Sequence, residues 1–233
     1  MRAYWWPAQN FGDTLTPFVL EYLTGKPVEP AERGDSKKLL AIGSIIHLAK
    51  AGDVVWGSGS NRLRLLNGRG VEYLAVRGPI TRGQIRHAVC PEVYGDPGIL
   101  LPLVYAPQVE KKYRRGIVPH YVDKPTAPAP GPDELLIDIQ ADWKTVIDQM
   151  LSCESIIASS LHGVIAAEAY GIPATWAVWG TKIIGGPLKY HDYFLGTGRR
   201  VHQPDEPLPP IPDLAARQEA LIEAFYKRFP LAS

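Results

Sequence analysis

Residues 155–179 read SIIASSLHGVIAAEAYGIPATWAVW, and their punctuation decides the fold. The short apolar run at 155–158 suits a strand buried on both faces. Ser159 and Ser160 end it with side chains that cap helices, the small apolar sequence at 161–170 continues as a helix, and Gly171 supplies a left-handed stop. A second apolar run follows almost at once, at 174–179. Strand, helix and strand joined this tightly form a βαβ unit with parallel strands. In parallel sheets ligands bind where loops leave the carboxyl ends of the strands, so SSLHG at 159–163 falls on the functional edge.

The same rhythm extends in both directions. Downstream of residue 116 the pattern predicts strands at 116–119 and 135–139 and a helix at 143–151. Upstream it predicts strands at 2–6, 39–42, 53–56 and 73–76. It also predicts a loop at 10–13, a helix at 14–24 capped by Gly25, a short helix from Gly43 and Ser44 to about 51, and a helix from Pro79 to about 86. Between the two series, residues 102–115 turn to proline and then to the charge cluster EKKYRR at 110–115, a crossing between halves. KPTAPAPGP at 124–132 reads as a surface loop, and QPDEPLPPIPD at 203–213 leads to an amphipathic helix at 214–229. The expectation is a compact α/β protein of two Rossmann-like halves facing across a cleft, GT-B-like, with residues 1–107 and 108–213 as the halves and 214–233 as a C-terminal helical segment.

Composition narrows the function. With 25 basic and 24 acidic residues the formal net charge is +1, which provides no global field to gather nucleic acid or an acidic membrane, so any anion must be held locally. Cys90 and Cys153 lack a metal-ligand or disulfide-framework spacing and read as reduced thiols. MRAYWWPAQNFGD lacks the apolar core of a secretion signal, and no apolar run approaches the length of about 20 residues that crosses a bilayer. The expectation is a cytoplasmic protein that binds no nucleic acid, with peripheral attachment to the membrane left open.

Several loops carry chemistry. Ser159, Ser160, His162 and Gly163 stand at a strand-to-helix joint, where free N–H groups and the helix dipole attract an anion; helix capping by a serine is the plainer alternative. Arg77, in LAVRGPITR, offers a planar fork for phosphate or carboxylate, or else a structural ion pair. Asn10, Gly12 and Asp13 in NFGD let a ligand approach the backbone or cap a helix. Ser58, in GSG, joins NFGD and VRG on one wall of the cleft, opposite SSLHG. His120 follows a strand, while Lys189, His191, Asp192 and Tyr193 gather polar groups in a segment that reads equally as a surface loop. The turn at Asp96-Pro97-Gly98 reads as structural. GSGSNR places Arg62 where a dinucleotide loop needs its third glycine, and the sequence contains no GxxxxGK, GxSxG or HExxH.

Taken as an ordered set, NFGDTLTPFVLEYLTG (10–25), IGSIIHLAKAGDVVWGSG (42–59), AVRGPITR (75–82), VYGDPGILLP (93–102), GIVPHY (116–121), SSLHGVIAAEAYGIP (159–173) and KYHDYFLGTG (189–198) resemble the polysaccharide pyruvyltransferase family. The likeness is greatest to ketal-pyruvate transferases of xanthan- and succinoglycan-type exopolysaccharides, and it runs from about residue 4 to residue 200. It implies transfer of the pyruvyl group of phosphoenolpyruvate to two hydroxyls of one sugar, giving a cyclic ketal and phosphate without a metal or organic cofactor. By the same resemblance His162 matches a catalytic histidine that protonates the donor methylene, and Arg77 a donor-binding arginine. Other branches carry an arginine where this chain has Ser160, which leaves His120 or Lys189 to supply that charge. The donor set is then Ser159, Ser160, Gly163, His120 and Lys189; Asn10, Gly12, Asp13, Ser44, Ser58, Asp192 and Tyr193 form the acceptor or cleft set. The implied acceptor is a saccharide or lipid-linked oligosaccharide at the inner face of the cytoplasmic membrane. A GT-B-type glycosyltransferase using a nucleotide sugar and a non-catalytic glycan-binding scaffold are the alternatives.

Overall fold

The first half of the chain alternates short apolar strands with helices, as the punctuation predicts. In chain order these are β1 (Arg2–Tyr4), α1 (Phe11–Thr24), β2 (Glu29–Pro30), β3 (Leu39–Leu40), β4 (Val54–Trp56), β5 (Leu66–Asn67), β6 (Glu72–Ala75), α2 (Pro79–Arg82), β7 (Ile85–Arg86) and α3 (Leu101–Val104). The second half holds β8 (Tyr113–Val118), β9 (Glu134–Leu136), α4 (Trp143–Leu151), β10 (Cys153–Ala158), α5 (Leu161–Ala169), β11 (Ala174–Trp176), α6 (Gly186–Gly196) and α7 (Leu214–Arg228). This computed structural model describes residues 1–7 and 10–230, so the last three residues of the expected C-terminal segment lie outside the described residues.

Nine strands form two parallel sheets, ordered β2-β1-β3-β4-β6 and β9-β8-β10-β11, and β5 and β7 form a separate parallel pair. Counted from its own first strand, each sheet begins 2-1-3-4, the order in which the chain reverses its direction of winding between the first and third strands. Ligands of open α/β sheets bind outside the strand ends at that reversal. The central strands are continuous apolar runs because both faces are covered: Leu39, Leu40, Val55, Trp56, Ile117, Val118, Ile156 and Ala158 are all buried.

One apolar cluster runs through both sheets. Helix α1 lies between them, with Phe18 stacked on Trp143 of α4 at 4.7 Å and the Phe11 N–H donating to the Ile139 carbonyl at 2.9 Å. Helix α7 returns to the first sheet. There the Trp56 indole donates to the Leu221 carbonyl at 2.9 Å, Phe225 packs on the Trp56 ring, and the Tyr226 hydroxyl donates to the Leu23 carbonyl.

Several boundaries differ from the expectation. NFGD is the start of α1, with Asn10 in the extended N-cap position, and Gly25 closes the helix at φ 64 as predicted. The helix expected to reach about residue 86 ends at Arg82, and Ile85–Arg86 pairs with β5 instead. The helix expected to reach about 51 is a single 3-10 turn, Ile46–Leu48. The end of EKKYRR belongs to β8, whose charged end is tolerated because Arg114 and Arg115 pair with Asp133 and Glu134. The 189–198 segment lies largely within α6, with Tyr190, Tyr193 and Phe194 buried on one face.

Helix α6 is welded to the end of β6. The Arg77 guanidinium donates from Nε to Asp192 at 3.2 Å, and both side chains are buried. Asp192 also accepts from the Thr81 N–H at 2.9 Å and the Thr81 hydroxyl at 2.6 Å, capping α2 from another part of the chain. Glycines permit the approach: a methyl at Gly78 would lie 1.9 Å from the Asp192 carbonyl oxygen, and one at Gly196 2.1 Å from that of Arg77. Removing one partner of a buried pair strands the other charge, which costs about 3–5 kcal/mol. Asp192→Ala is expected to lower unfolding stability by that amount in a urea titration; a loss of under about 1 kcal/mol, the worth of an exposed pair, would show that the pair does not hold these elements together.

Candidate active site

The two winding reversals open into one cleft of about 520 Å³. From the first sheet, the loops after β1 and β3 bring Trp6, Asn10, Asp13, Ser44 and Ile45; from the second, the loops after β8 and β10 bring His120, Tyr121, Ser160 and His162, and α6 adds Lys189. Seven of the residues singled out in the sequence therefore meet here: Asn10, Asp13, Ser44, His120, Ser160, His162 and Lys189.

His162 stands in the first turn of α5, whose N-cap is Ser160, with the Ser160 hydroxyl accepting from the Gly163 N–H at 3.3 Å. Its ring packs over α1, and this is the reason for Gly12: a methyl there would lie 1.8 Å from Nδ1. Gly12 thus admits the imidazole, not a ligand as the sequence suggested. On the other side Nε2 lies 3.5 Å from Oδ2 of Asp96, within ion-pair range though longer than a hydrogen bond. Both atoms lack another partner among the described residues. The second Asp96 oxygen accepts from the Gly98 N–H at 3.0 Å, so the turn that reads as structural also aims a carboxylate at the histidine.

Burial shapes the charges around this ring. Lys189 is pushed down to about 8 by desolvation and then by the Arg77 charge, against the pull of Asp13 and Asp123. His120 is driven down to about 3 by burial, then by Lys189 and His162, so it is neutral in this structure, and Lys189 is the better placed of the two to supply charge beside Ser160. Its Nδ1 accepts from the Val122 N–H at 3.4 Å, which leaves its proton on Nε2. Asp13 is raised by burial, although His162, the Asn10 amide and Lys189 oppose the shift.

The sequence reading missed the outer wall. Arg33, Arg62, Arg64 and Lys182 line the cleft with His47, and Asp13 is the one carboxylate among its described lining residues. His47 is lowered by burial, then by Arg64 and Arg33. Polar atoms without hydrogen-bond partners among the described residues also gather here: Asn10 Oδ1, His47 Nδ1, Arg64 Nε and His162 Nε2. A cleft with this balance and unfilled bonding capacity is built for an anion. Alternation in RLRL at 62–65 was the available signal, since it sends Arg62 and Arg64 to the cleft and leaves Leu63 and Leu65 exposed. Among the described residues no three His, Cys, Asp or Glu side chains gather as metal ligands, and no helix is long and apolar enough to cross a membrane.

Other expectations are corrected. Arg77 is not a free donor fork: it is 0% exposed, and beyond Asp192 it donates to the Ser44 hydroxyl at 2.8 Å and the Ser60 carbonyl at 2.6 Å. It lies beneath the floor and reaches the cleft through Ser44. Ser58 donates to the Gly43 carbonyl at 2.9 Å, Ser159 accepts from the His120 N–H at 3.0 Å, and Tyr193 donates to Glu168 at 2.8 Å, all buried below the lining. Gly163 is a packing position, with Val118 2.9 Å from where its methyl would stand. Asp192 is enclosed with Arg77.

A family described as polysaccharide pyruvyl transferase matches residues 32–180. Uncharacterized protein L143 of Acanthamoeba polyphaga mimivirus is 44% identical over 108 residues, 42% of this chain and 38% of that protein. Succinoglycan biosynthesis protein ExoV of Rhizobium meliloti (strain 1021) is 28% identical over 210 residues, 83% of this chain and 64% of that protein. The chain thus spans less than two thirds of the length of either relative. No solved structure matches it.

Because Lys189 loses its charge near pH 8, inorganic phosphate should bind more weakly as pH rises through about 8, while Lys189→Arg should carry the affinity to higher pH. Calorimetric titration checks this, and an affinity that stays flat across that range in the wild-type protein would place the anion away from Lys189.

Proposed function

The chain belongs to the polysaccharide pyruvyl transferase family, and on that premise we propose that it moves the pyruvyl group of phosphoenolpyruvate onto two hydroxyls of one sugar in a polysaccharide repeat, closing a cyclic ketal and releasing phosphate. The observation that carries this reading is the meeting of His162, backed by Asp96, with a cation-rich wall at a double winding reversal. Phosphoenolpyruvate brings a phosphate and a carboxylate to one small molecule, and the cleft offers charge for both. Lys189 and the free N–H groups at the start of α5 take the phosphate at the inner end. His162 delivers a proton to the methylene carbon while a sugar hydroxyl adds to the adjacent carbon. Phosphate then leaves and the second hydroxyl closes the ring. The sequence is addition and elimination without net oxidation, so in this reading it uses no metal or organic cofactor.

The outer cations Arg33, Arg62, Arg64 and Lys182 exceed what a single small donor needs. They favour an acceptor that carries phosphate itself, such as a lipid-linked oligosaccharide, and exposed Trp6 and Tyr121 at the cleft offer apolar ring surface to a sugar. That acceptor puts the enzyme in the cytoplasm beside the inner membrane face, with no role for nucleic acid. The repeated strand order supports a GT-B-like pairing of residues 1–107 with 108–213, over which helix α7 of the 214–233 segment folds back.

The test is a titration with phosphoenolpyruvate beside a panel of nucleotide sugars. A ligand at 100 times its Kd adds about 2.7 kcal/mol of stability, so a clear thermal shift with phosphoenolpyruvate alone is expected. His162→Ala should keep that shift and lose about 10²–10⁴-fold in phosphate release with an acceptor present. A shift confined to nucleotide sugars would replace this reading with a glycosyltransferase, and the absence of any shift would favour a glycan-binding scaffold.

A further inference from the structure

We propose that Asp13 is the base that takes the proton from the first acceptor hydroxyl, and that Asn10 holds the second hydroxyl beside it. The inference rests on the pyruvyl-transfer reading and adds the half of the proton inventory that His162 alone leaves open. Adding two hydroxyls to one carbon releases two protons, whereas the donor methylene takes up only one.

The geometry singles out Asp13. Among the described residues lining the cleft it is the one carboxylate. Of the other buried carboxylates, Asp192 is tied to Arg77 and Thr81, Asp53 to Lys38 and Glu168 to Arg199; Asp96, which faces His162, and Asp123, whose oxygens have no hydrogen-bond partner among the described residues, lie outside the cleft lining. Asp13 accepts one hydrogen bond among the described residues, from the Asn10 amide to Oδ2 at 2.7 Å. Its Oδ1 faces Gly43, where a methyl would stand 3.2 Å away. The charged or titratable groups around it are His162 on α5, Lys189 on α6, Asp96 in the turn before α3, and Tyr4 on β1. Asn10 adds a second observation. With its amide nitrogen given to Asp13, its Oδ1 is buried in the cleft wall with no partner among the described residues, and the residue is only 7% exposed. An orphaned acceptor next to a lightly held carboxylate provides two adjacent oxygens, one for each O–H of a diol.

The proton steps balance within one turnover. The first hydroxyl oxygen bonds to the donor's central carbon as its proton passes to Asp13 and the proton of His162 passes to the methylene carbon, which becomes a methyl group. The carbon–oxygen bond to phosphate then breaks, with its electron pair leaving on phosphate, which takes the proton from Asp13. The second hydroxyl oxygen bonds to the same carbon and gives its proton to His162. Both residues end as they began.

Desolvation raises Asp13, which strengthens it as a base, while His162 and then the Asn10 N–H oppose that rise. The test uses the full chain with phosphoenolpyruvate and the alkyl diphosphate glycosides of glucose, galactose and mannose, which carry the phosphate that the outer cations favour, reading phosphate release. Asp13→Asn keeps the shape and is expected to lower kcat by about 10²–10⁴-fold while phosphoenolpyruvate binds as well as before or more tightly, because a negative charge has left the anion cleft. Asn10→Ala removes the amide that holds Asp13 down. The acidic limb of the kcat profile should therefore move to higher pH and the glycoside KM should rise, changes that a merely structural role would not produce. If the wild type turns over while Asp13→Asn stays within about 3-fold of it, or Asn10→Ala leaves the acidic limb in place, the base assignment is wrong and pyruvyl transfer stands. If the wild type releases no phosphate with any glycoside, pyruvyl transfer fails and takes this assignment with it.

Discussion

A guanidinium with no access to water fixes the geometry of the cleft. Arg77 lies just beyond the last strand of the first sheet, and its buried charge can be accommodated only where Asp192, Ser44 and the Ser60 carbonyl all reach it. Such a pair adds little net stability, because desolvation offsets the attraction, but it penalises every arrangement in which one partner is missing. The penalty sets the position of α6. Asp192 and Lys189 are three residues apart on that helix and share a face. Holding Asp192 in the interior therefore points Lys189 at the cleft, where the Arg77 charge helps make it a weak ammonium.

The electrostatics of the cleft follow from the same economy. A chain of net charge +1 has no long-range pull on an anion, so the positive field must be local. It is built in two tiers. Lys189 and the α5 N-terminus form the inner one, beside a histidine whose environment contains both Asp96 and Asp13. The arginines after β2 and β4 form the outer one, at the mouth. Asp13 is the exception in this field, and a carboxylate facing cations without pairing closely to any of them suits proton transfer better than anchorage.

Much of this was legible in the sequence. Residues 143–151 were read as α4 to the residue, and the βαβ unit around SSLHG was identified because its strand, cap and left-handed stop agree with one another. Local signals of that kind do not depend on distant parts of the chain. The failures were tertiary. Arg77 looks the same in sequence whether its fork faces a ligand or a carboxylate 115 residues away. Gly12 signals a close approach without saying what approaches, and it proved to be the ring of His162. The 189–198 segment was ambiguous because its polar residues drew more notice than the helical spacing of Tyr190, Tyr193 and Phe194. Alternation in RLRL marks Arg62 and Arg64 as sharing one side, but nothing local ties them to Arg33 or Lys182, and only the fold brings these cations together.

The site belongs to neither sheet alone. Asp13 comes from the first helix of one and His162 from the second helix of the other, and the Gly12 contact joins them directly. Proteins whose halves meet through a small polar interface open and close by hinging. Here a continuous apolar cluster, the Phe18–Trp143 stack and the Phe11–Ile139 hydrogen bond cross between the sheets. A hinge that parted them would strip Gly12 from His162 and expose that core. Capture of substrates must therefore fall to the loops and side chains at the mouth, above a floor that stays assembled. Proton transfer tolerates little error in distance, and the proposed acid and base, drawn from two sheets, keep their spacing only if the sheets do not move apart.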